Sequence, residues 1–200
     1  MASGLFLAAG YGETSIDLIA RRAGTSKRTI YDRFPDKAGV FKAVIHRIVN
    51  RLRPPDVAGL FAGGGLEEIL TRICMAILHA ALQPEALALH RVIVAEAGRF
   101  PELAAMVADR PGSQEAIQRI AAVLQASSPR PASAPAATFA ATQFLYMTIA
   151  VPQRRVMVLG MPMSQEELEA WARQTVALFL HGWRGAAGPS KALKTRSAAR

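Results

Sequence analysis

Thr14 to Phe41 reads TSIDLIARRAGTSKRTIYDRFPDKAGVF. The spacing predicts two short helices joined by a tight turn, then the start of a third. Thr14 is of a type favoured at an N-cap, and Asp17 stands three positions on, where a carboxylate can return a bond to free backbone amides. Ile16, Ile19, Ala20 and Ala23 recur at spacings of three and four, so one face is apolar. Gly24 stops this helix, since glycine turns left-handed without a Cβ penalty. Ser26 is placed to cap the second helix, with Lys27, Arg28 and Thr29 in its first turn. Ile30 and Phe34 point back at the first helix, and Pro35 ends the second. Two cations at a helix N-terminus oppose the macrodipole, a placement that folding alone does not favour. A bound polyanion accounts for it, because amides and cations then face phosphates together. In a helix-turn-helix the N-terminal part of the second helix enters the major groove. The competing reading is a helical hairpin with an ordinary solvated face.

Charge divides the chain in the same sense. The formal net charge of +9 separates into +6 over residues 1–55, −2 over 56–183 and +5 over 184–200. Positive charge therefore sits on the candidate nucleic-acid module and on the tail, while the middle is apolar and nearly neutral. Two hundred residues suffice for one or two small domains with a real core. Cys74 is the single cysteine, which excludes an intrachain disulfide. It lies in an apolar run and reads as a buried structural thiol. The opening MASGLFLAAGYGE is a poor signal peptide, and no apolar run reads as long enough to span a membrane. The expected location is the cytoplasm, in association with the nucleoid.

GYGETSIDLIARRAGTSKRTIYDRFPDKAGVFKAVI (10–45) resembles the N-terminal domain of TetR-family transcriptional repressors. The order Gly-Tyr, Thr-Ser, Ile-Ala, Ala-Gly, Ser-Lys, Tyr, Phe and Lys, then a closing apolar helix, carries the match. Thr25 and Arg28 depart from the aliphatic and small residues usual at those positions. Further on, LALHRVIVAEAGRFPELA (87–104) and ATQFLYMTIA (141–150) resemble the AefR-like C-terminal domain of part of that family, through Arg91, Glu96, Phe100 and Pro101. The resemblance covers residues 4–183. It implies an all-α fold, with an N-terminal helix-turn-helix three-helix domain and a larger helical ligand-binding and dimerisation domain. It also implies about two more turns of first helix than this chain supplies. The expected units are 1–53, 56–183 and a basic, disordered tail over 184–200.

Along the chain, residues 2–9 read as a helix stopped by Gly10, and Lys37–Arg53 as the helix connecting the two domains. Residues 56–65 read as a loop. Leu66–Leu82 is apolar almost all round and reads as a central buried helix. Pro84 separates it from the next helix, over Glu85–Arg99. Two shorter helices break at Pro111-Gly112, and SSPRPASAP (127–135) reads as a flexible loop. A helix over 136–151 should kink at Pro152, and Ser164 with Glu167 forms a capping box for the last helix.

No catalytic set, metal pattern or cofactor motif is legible. His46, His79, His90 and His181 fall on separate predicted helices with no ligand spacing. The expected partners are a palindromic double-stranded DNA operator, a second copy of the chain and a small, largely apolar organic effector. Ser15, Ser26, Lys27, Arg28, Thr29, Tyr31 and Lys37 are the expected DNA contacts, with Tyr31 and Lys37 holding phosphates. Met75, His79, His90, Val94, Phe139, Gln143, Tyr146 and Met147 are the expected effector pocket, because isolated polar groups on apolar helices suit an organic-ligand site. Arg91 and Glu96 read as an internal ion pair. Phe144, Ile149, Leu168, Trp171, Thr175, Leu178 and Phe179 form a stripe too wide to face one core and are the expected dimer contact. The rival reading is a helical small-molecule-binding protein or enzyme with a vestigial helix-turn-helix.

Overall fold

The computed structural model describes residues 1–108, 111–127 and 132–186, and among them every regular element is an α-helix. Helix α1 (Ala2–Glu13) bends at Gly10, whose φ of 86° no residue with a Cβ adopts easily. Helix α2 (Ile16–Ala23) is capped by Ser15, whose side chain accepts from Leu18 N at 3.1 Å, and not by Thr14. Thr14 is fully buried and its hydroxyl donates instead to Gly10 O at 2.7 Å, tying down the bend in α1. Gly24 closes α2 in the left-handed region, and Ser26 caps α3 (Lys27–Tyr31). Helix α3 ends at Tyr31, short of Pro35. Helix α4 (Lys37–Leu52) starts on Asp36, whose carboxylate accepts from Gly39 N at 2.7 Å.

The expected loop after α4 contains a short helix, α5 (Val57–Phe61), started by the Asp56 carboxylate. Helices α6 (Leu66–Ala81) and α7 (Pro84–Glu96) meet at 70°. Helix α6 is not buried all round: Leu70, Ile73, Cys74 and Leu78 face inward, while Glu67, Glu68 and His79 are exposed. Helices α8 (Pro101–Ala108) and α9 (Pro111–Ala126) follow, with Pro111 opening α9 where the sequence places the break between two helices. Proline fits there because the first turn has no internal partner for its missing N–H.

Helix α10 (Ala134–Leu159) is continuous across Pro152. A proline inside a helix leaves the carbonyl four residues back without its donor. That carbonyl belongs to Thr148, and it accepts the Trp171 indole N–H at 3.0 Å. The replacement bond accounts for the helix continuing past the expected kink site at Pro152. The continuous helix is also long and apolar enough, by length and composition, to cross a membrane, contrary to the sequence expectation, but it packs against α6, α9 and α11. Gly160 ends it, and the expected capping box starts α11 (Gln165–Ala186): Ser164 N donates to Glu167 Oε2 at 2.8 Å and Glu167 N to Ser164 Oγ at 3.2 Å. The expected disordered tail over 184–200 falls outside the described residues from 187 onward, as do residues 128–131 of the expected loop.

The helices enclose two apolar cores. The first joins α1–α4 to α7 and α8 through Phe6, Tyr11, Ile19, Phe41, Ile48, Val92, Ile93 and Leu103. The second joins α6, α9, α10 and α11 through Leu70, Cys74, Leu78, Ile120, Phe144, Ala172 and Val176. The first core therefore crosses the boundary expected near residue 53.

Candidate DNA-reading surface and effector cavity

The α2–turn–α3 unit presents its polar side to solvent. Ser26 Oγ accepts from Thr29 N at 3.1 Å and lies 2.9 Å from Thr29 Oγ1, so this pair fixes the first turn of α3. Lys27 forms an ion pair with Asp17 at 2.6 Å. That pairing corrects the sequence argument, since a carboxylate on α2 already offsets the unfavourable placement of one cation. Arg21, Arg22, Arg28 and Arg33 are exposed and form no ion pair among the described residues. Tyr31 is 51 % exposed beside them. Arg28 is among the expected contacts and Arg21, Arg22 and Arg33 are not, although their positions in the sequence adjoin the motif.

Lys37 is not on this surface. Its ammonium donates to Tyr11 O at 3.0 Å and Gly12 O at 3.3 Å, and lies 4.3 Å from the centroid of the Tyr11 ring. Glu96, from the end of α7, accepts from Tyr11 N and Gly12 N, both at 2.6 Å. One carboxylate and one ammonium thus take the donors and acceptors that the bend at Gly10 leaves exposed. A Cβ on Gly10 would run into Glu96 Oε1, so the bend and the acid fit only with glycine there. Phe6, Tyr11, Phe41 and Phe100 stack around the same point at centroid distances of 4.9–5.9 Å. Burial first, then the hydrogen bond to Glu102 at 3.0 Å, pushes the Tyr11 phenol far above its ordinary value, so it remains a neutral donor. Glu96 therefore does not pair with Arg91, which is exposed.

Between the two cores lies a cavity of about 320 Å³. Helix α4 supplies one wall (Ile45, Ile48, Val49, Leu52), α6 and α7 a second, and α9 and α10 a third, with Val57 and Leu60 of α5 and Met106 of α8 completing the lining. It exists because Ala76, Ala80, Ala81, Ala86 and Ala116 face it and are too small to fill the gap between helices. Six of its 26 lining residues are polar: Arg53, His90, Ser113, Glu115, Arg119 and Gln153. Its size and its few polar groups suit a small organic molecule.

Of the eight expected pocket residues, His90 alone lines this cavity. Phe139, Tyr146 and Val94 are 66 %, 57 % and 60 % exposed, and Gln143 is exposed too. Met147 is half-buried off the cavity, Met75 packs on the second core, and His79 is exposed, with Nε2 3.3 Å from Gln165 Oε1. The expected dimer residues are displaced in the opposite sense. Phe144, Leu168 and Thr175 are buried within the protomer, Trp171 bonds Thr148 O, Phe179 stacks on Phe144, and Ile149 lines the cavity. Only Leu178 of that set is exposed. The two faces of α10 are thus the reverse of the expectation: Ala137 and Ala141 mark the buried side, and Gln143 and Tyr146 stand on the exposed one.

Cys74 is buried 3.5 Å from Thr148 Oγ1, and desolvation raises its thiol to about 11. It is a protonated packing group, as expected.

Known proteins share this fold. Residues 2–44 match the bacterial regulatory proteins of the tetR family, and residues 68–184 match the AefR-like transcriptional repressor C-terminal domain. The solved structure of the flavonoid-responsive regulator FrrA is 30 % identical over 90 % of this chain and 91 % of its own, with a TM-score of 0.67. A TetR-family transcriptional regulator from Mesorhizobium loti is 25 % identical over 90 % and 91 %, with a TM-score of 0.65. One from Pseudomonas syringae pv. tomato shares the fold, with a TM-score of 0.64 at 24 % identity over 91 % of each chain. The chain belongs to the TetR family of transcriptional regulators. It is a DNA-binding regulator of a family that responds to ligands, and not an enzyme.

Proposed function

We propose that this chain is a homodimeric repressor that holds a palindromic operator and releases it when a small, largely apolar molecule enters the cavity between its cores. The observation that carries this reading is the position of α4: one face lines the cavity, and its N-terminus follows directly from α3. A ligand that favours one setting of α4 over another shifts the DNA-reading helices with it. A coupling of about 1–3 kcal/mol changes DNA affinity roughly 5–150-fold.

In the dimer, two copies of α3 enter successive major grooves about 34–36 Å apart. Arg28 and Thr29 reach base edges, Ser15, Ser26 and Tyr31 lie against phosphates, and Arg21 and Arg33 add attraction to the backbone. Lys27 reaches a phosphate only by leaving Asp17. The partner protomer covers the exposed side of α10 and α11, where Phe139, Tyr146 and Leu178 stand in solvent. The repressor would act on the nucleoid, in the cytoplasm.

Selection of duplexes from a random pool, followed by mobility shift, tests the reading. The expected outcome is a palindrome bound by two protomers. Arg28→Ala should change preference at one base pair if it reads guanine. A pool that yields no enriched sequence would remove the repressor reading.

A further inference from the structure

The cavity has an uneven chemical make-up. Among its described lining residues there is no Phe, Tyr or Trp, so nothing in it stacks on a flat aromatic ring. Its walls are the branched aliphatic residues of α4, α6 and α7 interleaved with alanines. At about 30 Å³ for each water-sized group, 320 Å³ holds on the order of ten heavy atoms. Its three charged lining residues form one group. Arg53, the C-cap of α4, donates through both terminal nitrogens to the two oxygens of Glu115. Arg119 bonds the same carboxylate from Nε at 3.2 Å and lies 3.1 Å from it through Nη2. Two guanidinium groups thus share one acid, leaving one net positive charge at this end of the cavity. These side chains are 35–46 % exposed, so an incoming group can reach them from water.

Resting on the reading of the cavity as the effector site, we propose that the effector is an aliphatic anion of medium chain length. Its chain lies along the alanine-rich wall, and its acidic head takes the place of Glu115 on Arg53 and Arg119. A planar carboxylate matches an arginine fork, and two forks that share one acid have unmet donors for a second. The exchange has a mechanical result. The Arg53–Glu115 pair ties the end of α4 to α9. An acid that displaces Glu115 frees α4 from α9 while its chain fills the gap behind. Ligand chemistry and release of the reading helices are then one event.

Calorimetry on the full chain with decanoate, 1-decanol and the flavonoid naringenin, each below its aggregation limit, tests this. Decanoate should bind about tenfold more tightly than decanol, the value of roughly one charge-assisted hydrogen bond. Arg53→Gln should close most of that gap. Glu115→Gln should tighten decanoate severalfold by removing the internal competitor, and it keeps the test open if the arginine variant folds poorly. Equal affinity for decanoate and decanol in the unaltered chain would overturn the proposal. Naringenin binding, blocked by Ala80→Trp, without decanoate binding would overturn the ligand class while leaving the cavity as the effector site. If none of the three binds or alters DNA affinity, the proposal fails together with the cavity reading beneath it.

Discussion

The two sides of α4 are built differently. On one side the first core packs aromatic rings together, with Phe6, Tyr11 and Phe41 no more than 1 % exposed and the bend at Gly10 held by Glu96 and Lys37. On the other side aliphatic and alanine residues leave a cavity. Dense packing transmits a displacement as a rigid unit, whereas a gap can be filled or left empty. The contrast separates the part that must keep its shape to read DNA from the part free to respond. It also places Glu96 and Lys37 where the end of α7 and the start of α4 both grip α1.

The largest effect should come from emptying the dense side. Phe41→Ala is expected to cost about 3–5 kcal/mol in denaturant unfolding. Ile77→Ala, on the cavity wall, should cost less than about 2 kcal/mol, because part of its surface already faces a void. Equal losses would break the comparison. Next comes the polar latch. Glu96→Ala strands the Tyr11 and Gly12 amides and should cost about 2–3 kcal/mol. Lys37→Ala should cost about 1–2 kcal/mol and leave the salt dependence of DNA binding unchanged. Arg33→Ala should instead leave stability alone and lower the salt slope by about one, since its guanidinium acts on the DNA backbone. A changed slope for Lys37→Ala would return that residue to the DNA surface. Loss of the α3 cap in Ser26→Ala should cost about 1 kcal/mol by thermal unfolding.

The smallest effect concerns acid. The backbone N–H of Ser164, followed by Arg155, holds the Glu167 carboxyl below its ordinary value. A carboxyl depressed in the folded state stabilises above its unfolded value, and the benefit is lost as pH falls through the folded one. Glu167→Gln should therefore flatten the stability profile between about pH 5 and pH 3, with its full, small loss at pH 7 and little difference from the parent below about pH 3. A mutant profile parallel to the parent's would discount the cap.

The helix-turn-helix was legible because its signals are local. Gly24, Ser26 and the Ile16–Ile19–Ala20 spacing each act within one turn of helix, while the cap falls at Ser15 rather than Thr14 and α3 ends at Tyr31, short of Pro35. Lys37 was misplaced because its partners, the carbonyls of Tyr11 and Gly12, lie 26 and 25 residues away in the chain. Helix α10 failed for a related reason. It is apolar on several faces, so period alone does not say which one meets the core, and the burial of Ala137 and Ala141 depends on what α6 and α9 bring against them. The cavity was invisible in sequence because alanines mark a void only once they face each other across helices. Trp171 reads as a contact residue until Pro152 is seen to free the carbonyl it bonds.

The distance between the two α3 helices in solution tests the account most directly. Asp32→Cys places a spin label at the exposed end of α3, and Cys74, buried with its thiol raised to about 11, stays unlabelled. Pulsed dipolar spectroscopy on the operator-bound protein should give one narrow distance near the roughly 34–36 Å groove spacing. Adding a ligand that occupies the cavity, without DNA, should move the distribution away from that value. No dipolar signal at micromolar protein, or one distance indifferent to a bound ligand, would contradict it.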